Sequence, residues 1–565
     1  MTTPEIYQCG RCTGVWRGVQ TAAMRLCIAT ALLPLSRVQG MYASTAFVVA
    51  GSQFHQRDPE DAGEARICIQ NNSPGLLSMV QLKVRILAER AAGTETSTTE
   101  RRCVYAKLSP PVLRRGQYGE ILAKLLDRPN IDCRLTCTIS ARDGTLSHVA
   151  RLVEPPLWIS FVGFSEDLRR AFIYVENPGR ESIEAELLKV GDFDIADRTK
   201  TVRFTVPPKD KRCLIGDLPS PLSAGEFVHV VIAANTSGRE SKVHTVVRVI
   251  HAVPLVMEGG TGDPRLGLDI LRPFLQTMVC PAHAHGTHEA AAAKFLDDYA
   301  QQFTENPSRV IQIAICRSDL PRAWFRFGDL PDVAVMNTCL RPPSCYDKDP
   351  QKWFCPFSCV GDLAKRAAEP GRFLAIIPTG PDVKERSLLL KGLTSQEWRF
   401  LVYCAVASGA KGVIYRGLPA GDTLSRDAFR QLNRELQHLK PLLSIAEPVE
   451  WITTEQSNYV AKGLLCGDQA IVVIVFDRRY FSRQRDGRFH TPPFGRAVIP
   501  VRVNGKIPQG ITVQEVTTPF ASLDRKCWGC RNGVLELTAD MIDSAQVYIL
   551  SIRPQTRPLE GGQPQ

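Results

Sequence analysis

No stretch beyond residue 40 is long and apolar enough to cross a bilayer as a helix, so a helical membrane protein is set aside. No block of lysine and arginine carries interleaved aromatics, so nucleic-acid binding is not expected. Nothing matches a phosphate-cradling loop, a dinucleotide fingerprint or a serine nucleophile elbow. Gly259-Gly260-Thr261-Gly262-Asp263 is glycine-rich but lacks the lysine and the spacing of a phosphate loop. No organic cofactor is therefore expected. Histidine is also scarce: the chain has 10, and after His288 only His438 and His490 remain.

What is present is a long globular chain. Its 565 residues leave room for several domains, and 44% hydrophobic with 22% charged residues is an ordinary folded balance. The net charge is 69 − 58 = +11. Residues 1–40 contain four Arg and one Glu, which leaves 11 − 3 = +8 spread over the rest. A spread excess is a solvated basic surface, with at most a mild attraction to acidic polysaccharide. Arg17 and Arg25 precede the apolar run Leu26–Leu35, and Val38-Gln39-Gly40 follows it. Basic, apolar, then small residues is the layout of a secretory leader. Met24 offers an alternative start. Residues 1–40 are read as a signal peptide, and the protein as secreted, periplasmic or held at the cell envelope.

The 18 cysteines fit an exported protein in which some pair. Cys133 and Cys137 fall on one face of a strand pattern. Cys345, Cys355 and Cys359 crowd one loop, where stapling disulfides are the natural reading. Cys527-Trp528-Gly529-Cys530 lies among β-type segments, so it reads as a turn-closing pair or two free thiols rather than a redox or zinc motif.

Periodicity divides the rest. Residues 41–153 alternate with period two around turn clusters such as Asn71-Asn72-Ser73-Pro74-Gly75, which predicts a β-sandwich. Residues 154–251 repeat the pattern around Asn177-Pro178-Gly179 and predict an immunoglobulin-like sandwich. Residues 252–452 alternate short apolar runs with helical periodicity. Strands are expected at Val253–Met257, Gln276–Cys280, Val310–Ile315, Val333–Met336, Phe373–Ile377, Val413–Tyr415 and Val449–Ile452. Helices are expected at Glu289–Phe303, Gly361–Ala367, Ser395–Ser408 and Arg426–Leu439, the last stopped by Pro441. Such alternation means parallel strands with right-handed crossovers, in a closed barrel or an open wound sheet. Residues 453–552 are again strand-like, and 553–565 are a Pro/Gly/Gln-rich tail read as disordered.

In the central unit Thr394 and Glu397 form a capping box before the helix, and Gly409 is placed to end it in the left-handed conformation. The run LTSQEWRFLVYCAVASGAKGVIYRG resembles the late barrel segment of secreted bacterial proteins related to glycoside hydrolases of the (β/α)8 class. The residues that match are Thr394, Glu397, Tyr403, Ala405, Gly409, Ala410, Lys411, Gly412 and Tyr415. The resemblance implies a glycosidase-like barrel followed by a C-terminal β domain. The expected fold is thus multidomain α/β plus all-β: two N-terminal sandwiches, a shortened TIM-barrel-like domain and a C-terminal sandwich.

Catalytic groups in a parallel barrel sit at the carboxyl ends of its strands. The acid best placed there is Glu258, with Asp263 beyond it. Asp319 and Asp382 follow later strands. Asn337, Thr379, Asp382 and Arg416 are candidate substrate-binding residues. Glycoside hydrolysis needs two carboxyls. In the resembled enzymes these are Glu at mid-to-late strand ends, where this chain has Thr338 after Asn337, and Thr379. His283, His285 and His288 form a candidate metal cluster, but the further His and Asp residues of an amidohydrolase-type site do not follow. The expectation is a divergent or non-catalytic glycosidase-like protein that binds or organises carbohydrate. The alternatives are an active hydrolase using Glu258 and a structural envelope protein without ligand.

Overall fold

The computed structural model describes residues 47–551, excluding 93–94, 130–132, 145, 196–202, 237, 251–255, 259–268, 271–274, 279–286, 316–321, 338–355, 379–394, 417–422, 482–496, 505–510, 517–526, 532–533 and 542. The expected leader, the cysteine-rich loop at 345–355 and the tail lie outside these residues.

The first unit contains β1 (Phe47–His55), β2 (Glu64–Asn71), β3 (Leu77–Ser78), β4 (Leu82–Ala92), β5 (Glu95–Arg101), β6 (Cys103–Ser109), β7 (Val112–Leu113), β8 (Tyr118–Leu125), β9 (Arg134–Ala141) and β10 (Ser147–Leu152). One sheet has the order β1-β2-β8-β6, the other β10-β9-β4-β5, and β3 and β7 form a small ribbon. In β9, Leu135, Cys137 and Ile139 are buried between the sheets while their neighbours face outward, the period-two pattern of a half-buried strand. The turn after β2 is built by one side chain. The Asn71 amide donates to the carbonyls of Gly75 (2.9 Å) and Leu113 (3.0 Å), and its oxygen accepts from the Ser73 amide (3.0 Å).

The second unit contains β11 (Trp158–Phe164), β12 (Arg170–Glu176), β13 (Ile183–Val190), β14 (Phe193–Asp194), β15 (Arg203–Val206), β16 (Lys211–Asp217), β17 (Phe227–Thr236) and β18 (Arg239–Arg248). Sheet β11-β12-β16 faces sheet β14-β13-β17-β18. Asn177, at the end of the second strand here as Asn71 is in the first unit, donates to the carbonyls of Glu181 (2.7 Å) and Val206 (3.0 Å). Strand β12 is buried on both faces. Ile173 and Val175 enter the sandwich core, while Phe172 and Tyr174 join the core of the neighbouring α/β unit.

The third unit contains β19 (Val256–Glu258), β20 (Asp269–Ile270), β21 (Leu275–Met278), α1 (His288–Glu305), β22 (Val310–Ile315), α2 (Arg322–Phe327), β23 (Val333–Asn337), α3 (Pro356–Ala368), β24 (Arg372–Pro378), α4 (Ser395–Ala407), β25 (Val413–Arg416) and α5 (Thr423–Leu443). The seven strands pair in parallel in the order β20-β19-β25-β24-β23-β22-β21. The order follows the chain, except that the first strand also pairs with the last. A closed TIM barrel is not evident: among the described residues the ladder ends at β20 and β21. Gly409 ends α4 at φ +96°, as its position in the sequence implies. Helix α5 runs two residues past Pro441, because a proline in the final turn breaks few remaining hydrogen bonds. Helix α4 is buried from Trp398 to Ala407, on every side, because it lies between the parallel sheet and the last unit. There Phe400 meets Phe476 edge-on at 5.5 Å, and Arg399 Nε donates to the Ala545 carbonyl at 2.8 Å.

The last unit contains β26 (Ala446–Val449), β27 (Ile452–Thr454), β28 (Tyr459–Cys466), β29 (Ala470–Asp477), β30 (Ala497–Val503), β31 (Thr512–Glu515), β32 (Trp528–Arg531), β33 (Val534–Met541) and β34 (Ala545–Ser551). Sheets β26-β28-β29-β34-β31 and β27-β30-β33-β32 enclose a common core. The expected parallel strand at Val449–Ile452 is corrected here. The chain crosses between the two antiparallel sheets at Glu450-Trp451, and both Val449 and Ile452 enter the sandwich core. The sequence cannot separate these cases, since both bury a short apolar run. Cys133, Cys137, Cys527 and Cys530 are free thiols. No helix among the described residues is long and apolar enough to cross a membrane.

Candidate functional site

A wound parallel sheet has two unlike edges. Ligand groups gather at the carboxyl edge, where the loops leave the strands. Here that edge carries Glu258 at the end of β19, Asn337 at the end of β23 and Arg416 at the end of β25. Glu258 and Arg416 are register partners on adjacent strands. Arg416 is also the partner of Pro378, the residue before Thr379, and Asn337 pairs with Ile376. Three of the ten candidates are thus brought to one edge, and Asp319 lies outside the described residues. Asp263, Thr379, Asp382, His283 and His285 lie outside the described residues. His288 opens α1, with its ring 5.8 Å from that of Phe327, after the Thr287 cap.

The amino edge is different: it is closed by buried charge against both N-terminal sandwiches. Glu64 of β2 is the centre of the first cluster. It takes Arg57 (2.9 Å), Arg66 (2.7 Å) and Lys124 (2.8 Å), and Arg66 also reaches Glu120 (2.8 Å) and Asp329 (3.3 Å). Burial alone would raise the Glu64 carboxyl, but the three cations outweigh it and hold it well below the usual range. Asp329, which precedes β23, is pushed up to about 7 by burial and by the neighbouring Glu64 charge. Beside it, Arg248 pairs with Asp332, which accepts from the Tyr299 hydroxyl at 2.7 Å.

A second cluster surrounds Glu447 of β26. Lys211 of β16 lies 2.8 Å away and Lys365 of α3 2.9 Å away. Burial opposes ionisation of Glu447, yet Lys211, Lys365 and Lys411 bring its carboxyl down to about 2. Lys411, one of the residues carrying the sequence resemblance, donates to the Ala446 carbonyl and sits 3.8 Å from the centre of the Phe161 ring. Burial brings its ammonium down to about 7.

Beside the first cluster is a cavity of about 80 Å³ lined by Arg66, Lys107, Glu120, Arg248, Asp329 and Asp332. It has room for a few waters and is too small for a sugar ring, since ligand pockets span roughly 300–1,000 Å³. The amino edge is therefore a joint. Sequence reasoning missed these buried charges because many of their partners, such as Lys124 and Asp329 for the first cluster and Lys211 for the second, come from segments tens to hundreds of residues away. It also missed Cys68, His229 and His244, three donors from three strands with no local spacing to mark them.

No protein-family model matches the chain, and no curated protein matches it. Solved structures similar to it include a GH27 β-L-arabinopyranosidase from Geobacillus stearothermophilus, at 13% identity and TM-score 0.30, over 53% of this chain and 60% of that one. A cycloisomaltooligosaccharide glucanotransferase from Paenibacillus sp. is similar at 7% identity and TM-score 0.35, over 70% of this chain and 99% of that one. A β-glucuronidase from Parabacteroides merdae is similar at 9% identity and TM-score 0.20, over 88% and 91%. The chain spans about six-tenths of the length of the arabinopyranosidase.

Proposed function

We propose that this chain is a divergent, glycosidase-like carbohydrate-binding protein, exported to the cell envelope, whose parallel sheet is a shortened (β/α) barrel that no longer cleaves its ligand. The observation that carries this reading is the register pair Glu258–Arg416 at the carboxyl edge, with Asn337 on the same edge. A carboxylate, a guanidinium and an amide are the donors and acceptors that sugar hydroxyls require. Hydrolysis needs a second carboxyl facing the first, about 5 Å away for retention and further for inversion. The described strand ends contribute one acid, Glu258. The pairing of the first parallel strand with the last supports the barrel reading, as does the resemblance of residues 393–417.

The test uses the full chain on a glycan array and on a panel of aryl glycosides and polysaccharides. The expected result is binding without turnover, weakened about tenfold or more by Glu258→Gln, because a charged hydrogen bond to a ligand contributes roughly 1.5–3 kcal/mol. Turnover abolished by Glu258→Gln would instead establish the active hydrolase, with Asp263 the first partner to examine. Neither binding nor turnover would leave a structural protein and overturn the proposal.

A further inference from the structure

We propose that Cys68, His229 and His244 form a zinc site that fastens the first sandwich to the second. Cys68 lies on β2, and the two histidines lie on the hairpin β17–β18. His229 is in register with Val246 and His244 with Val231, so the histidines are diagonal neighbours on one face of the hairpin. That face is turned away from the sandwich core, which takes Val228, Val230 and Ile232 instead.

The donor atoms converge. Cys68 Sγ lies 3.4 Å from His229 Nε2, which lies 3.1 Å from His244 Nδ1. All three are within 4.8 Å of one another. Ligands bound tetrahedrally to zinc at 2.0–2.3 Å stand about 3.3–3.8 Å apart, so small side-chain adjustments bring the three to one ion. Without an ion the two contacts must share one proton or one lone pair. Nε2 of His229 has either one proton or one lone pair, yet it faces both a thiol and a second ring nitrogen. A cation that accepts all three lone pairs removes this sharing.

The surroundings fit a built site. Cys68 is 2% exposed and His229 6%, and the His229 ring is stacked on Tyr118 at 4.3 Å. His244 is half-buried, which leaves a path for the ion and a position for a fourth, water ligand. Gly51 is the register partner of Cys68, at an irregularity in β1. A Cβ there would stand 2.6 Å from His244 Cδ2, so a bare backbone lets His244 reach the cysteine. Among the described residues, both rings sit among buried apolar and aromatic neighbours rather than beside a carboxylate that would hold them protonated. Burial raises the Cys68 thiol. Binding therefore exchanges a proton for the ion: the S–H bond breaks, the sulfur–metal bond forms and the proton leaves to solvent. One thiolate with two imidazoles suits zinc or copper and is wrong for magnesium or calcium. Glu120, the other neighbour of Cys68 in the ladder, is taken by Arg66 and by the Val246 amide.

The test strips the full chain with a chelator and titrates it with Zn²⁺, and in parallel with Co²⁺ as a coloured probe. The expected result for the unaltered protein is about one equivalent bound at this site, with a thiolate-to-cobalt charge-transfer band and a tetrahedral visible spectrum. Cys68→Ser and His244→Ala, each checked for native far-ultraviolet circular dichroism, should lose the band. Absence of the band in the unaltered protein overturns the site without recourse to variants. Survival of the band in folded Cys68→Ser assigns the metal to other cysteines and also overturns it.

Discussion

The two edges of the parallel sheet are made from the same alternation of strand and helix, yet they solve opposite problems. At the amino edge Glu64, Asp329, Arg248, Lys365, Lys411 and Glu447 are drawn together from all four units and buried in ion pairs. At the carboxyl edge Glu258, Asn337 and Arg416 are the last residues of β19, β23 and β25. The contrast teaches that a charged side chain means little before its edge is known. Glu64 and Glu447 are tied into the joint by several cations each, whereas Glu258 ends a strand at the opposite edge.

The sharpest way to break this contrast is Glu64→Ala. It leaves Arg57, Arg66 and Lys124 without their shared partner, and losing one member of a buried pair costs about 3–5 kcal/mol. Urea unfolding followed by tryptophan fluorescence measures it, and a loss below about 1 kcal/mol would make the joint no tighter than a surface. The next effect is on pH. Glu447 titrates at about 2 in the folded chain against 4.5 for the free group, so its contribution is present above pH 4.5 and is lost as pH falls through 2. Its size is about 3 kcal/mol at one unit per 1.36 kcal/mol, and acid unfolding of Glu447→Gln should lack this component. Asp329 works in the other direction. Raised from 3.8 to about 7, it contributes below pH 3.8 and loses that contribution as pH rises through 7, so Asp329→Asn should stabilise the chain relative to the parent in alkaline buffer.

A smaller change is expected from Gly409→Ala, where φ is +96° and the new Cβ would stand 3.0 Å from Pro448 Cγ. The cost is about 1–2 kcal/mol, read as a fall in melting temperature. At the far rim Glu258→Gln should shift stability by no more than about 0.5 kcal/mol while weakening glycan binding. A large stability loss there would move Glu258 from the ligand side of the comparison to the structural side.

Much of the architecture could be read from periodicity. The expected helix Glu289–Phe303 lies within α1, and Gly409 ends α4, because both signals are local. The turns at Asn71 and Asn177 were equally legible, since Asn side chains hydrogen-bond their own backbone a few residues on. The failures share a cause. Val449–Ile452 is apolar in either setting, and only its partners distinguish a barrel strand from a sandwich crossing. Strand β20 has two residues, and helix α2 has six and buries Trp324 and Phe327 without a full amphipathic period. The buried charges Glu64 and Arg66 carry no mark in the sequence, because the partners Glu120 and Asp329 lie far from them along the chain. At the candidate rim the sequence could nominate Glu258 and Arg416 separately. Their adjacency depends on the first parallel strand pairing with the last, which no local spacing encodes.

The Tyr174 hydroxyl has a consequence for synthesis. It is bonded to the carbonyls of Ile445 (2.5 Å) and Leu465 (3.0 Å) and accepts from the Gly467 amide (2.7 Å). Ile445 is made 271 residues after it. At ribosomal rates of about 5–20 residues per second, the phenol waits roughly 15–55 s for its first partner. The helices and strands of the parallel unit, made before Ile445, pack on the aromatic back of the second sandwich first. The hydroxyl bond closes only when the last unit arrives, so it acts as a latch on a face that is already covered.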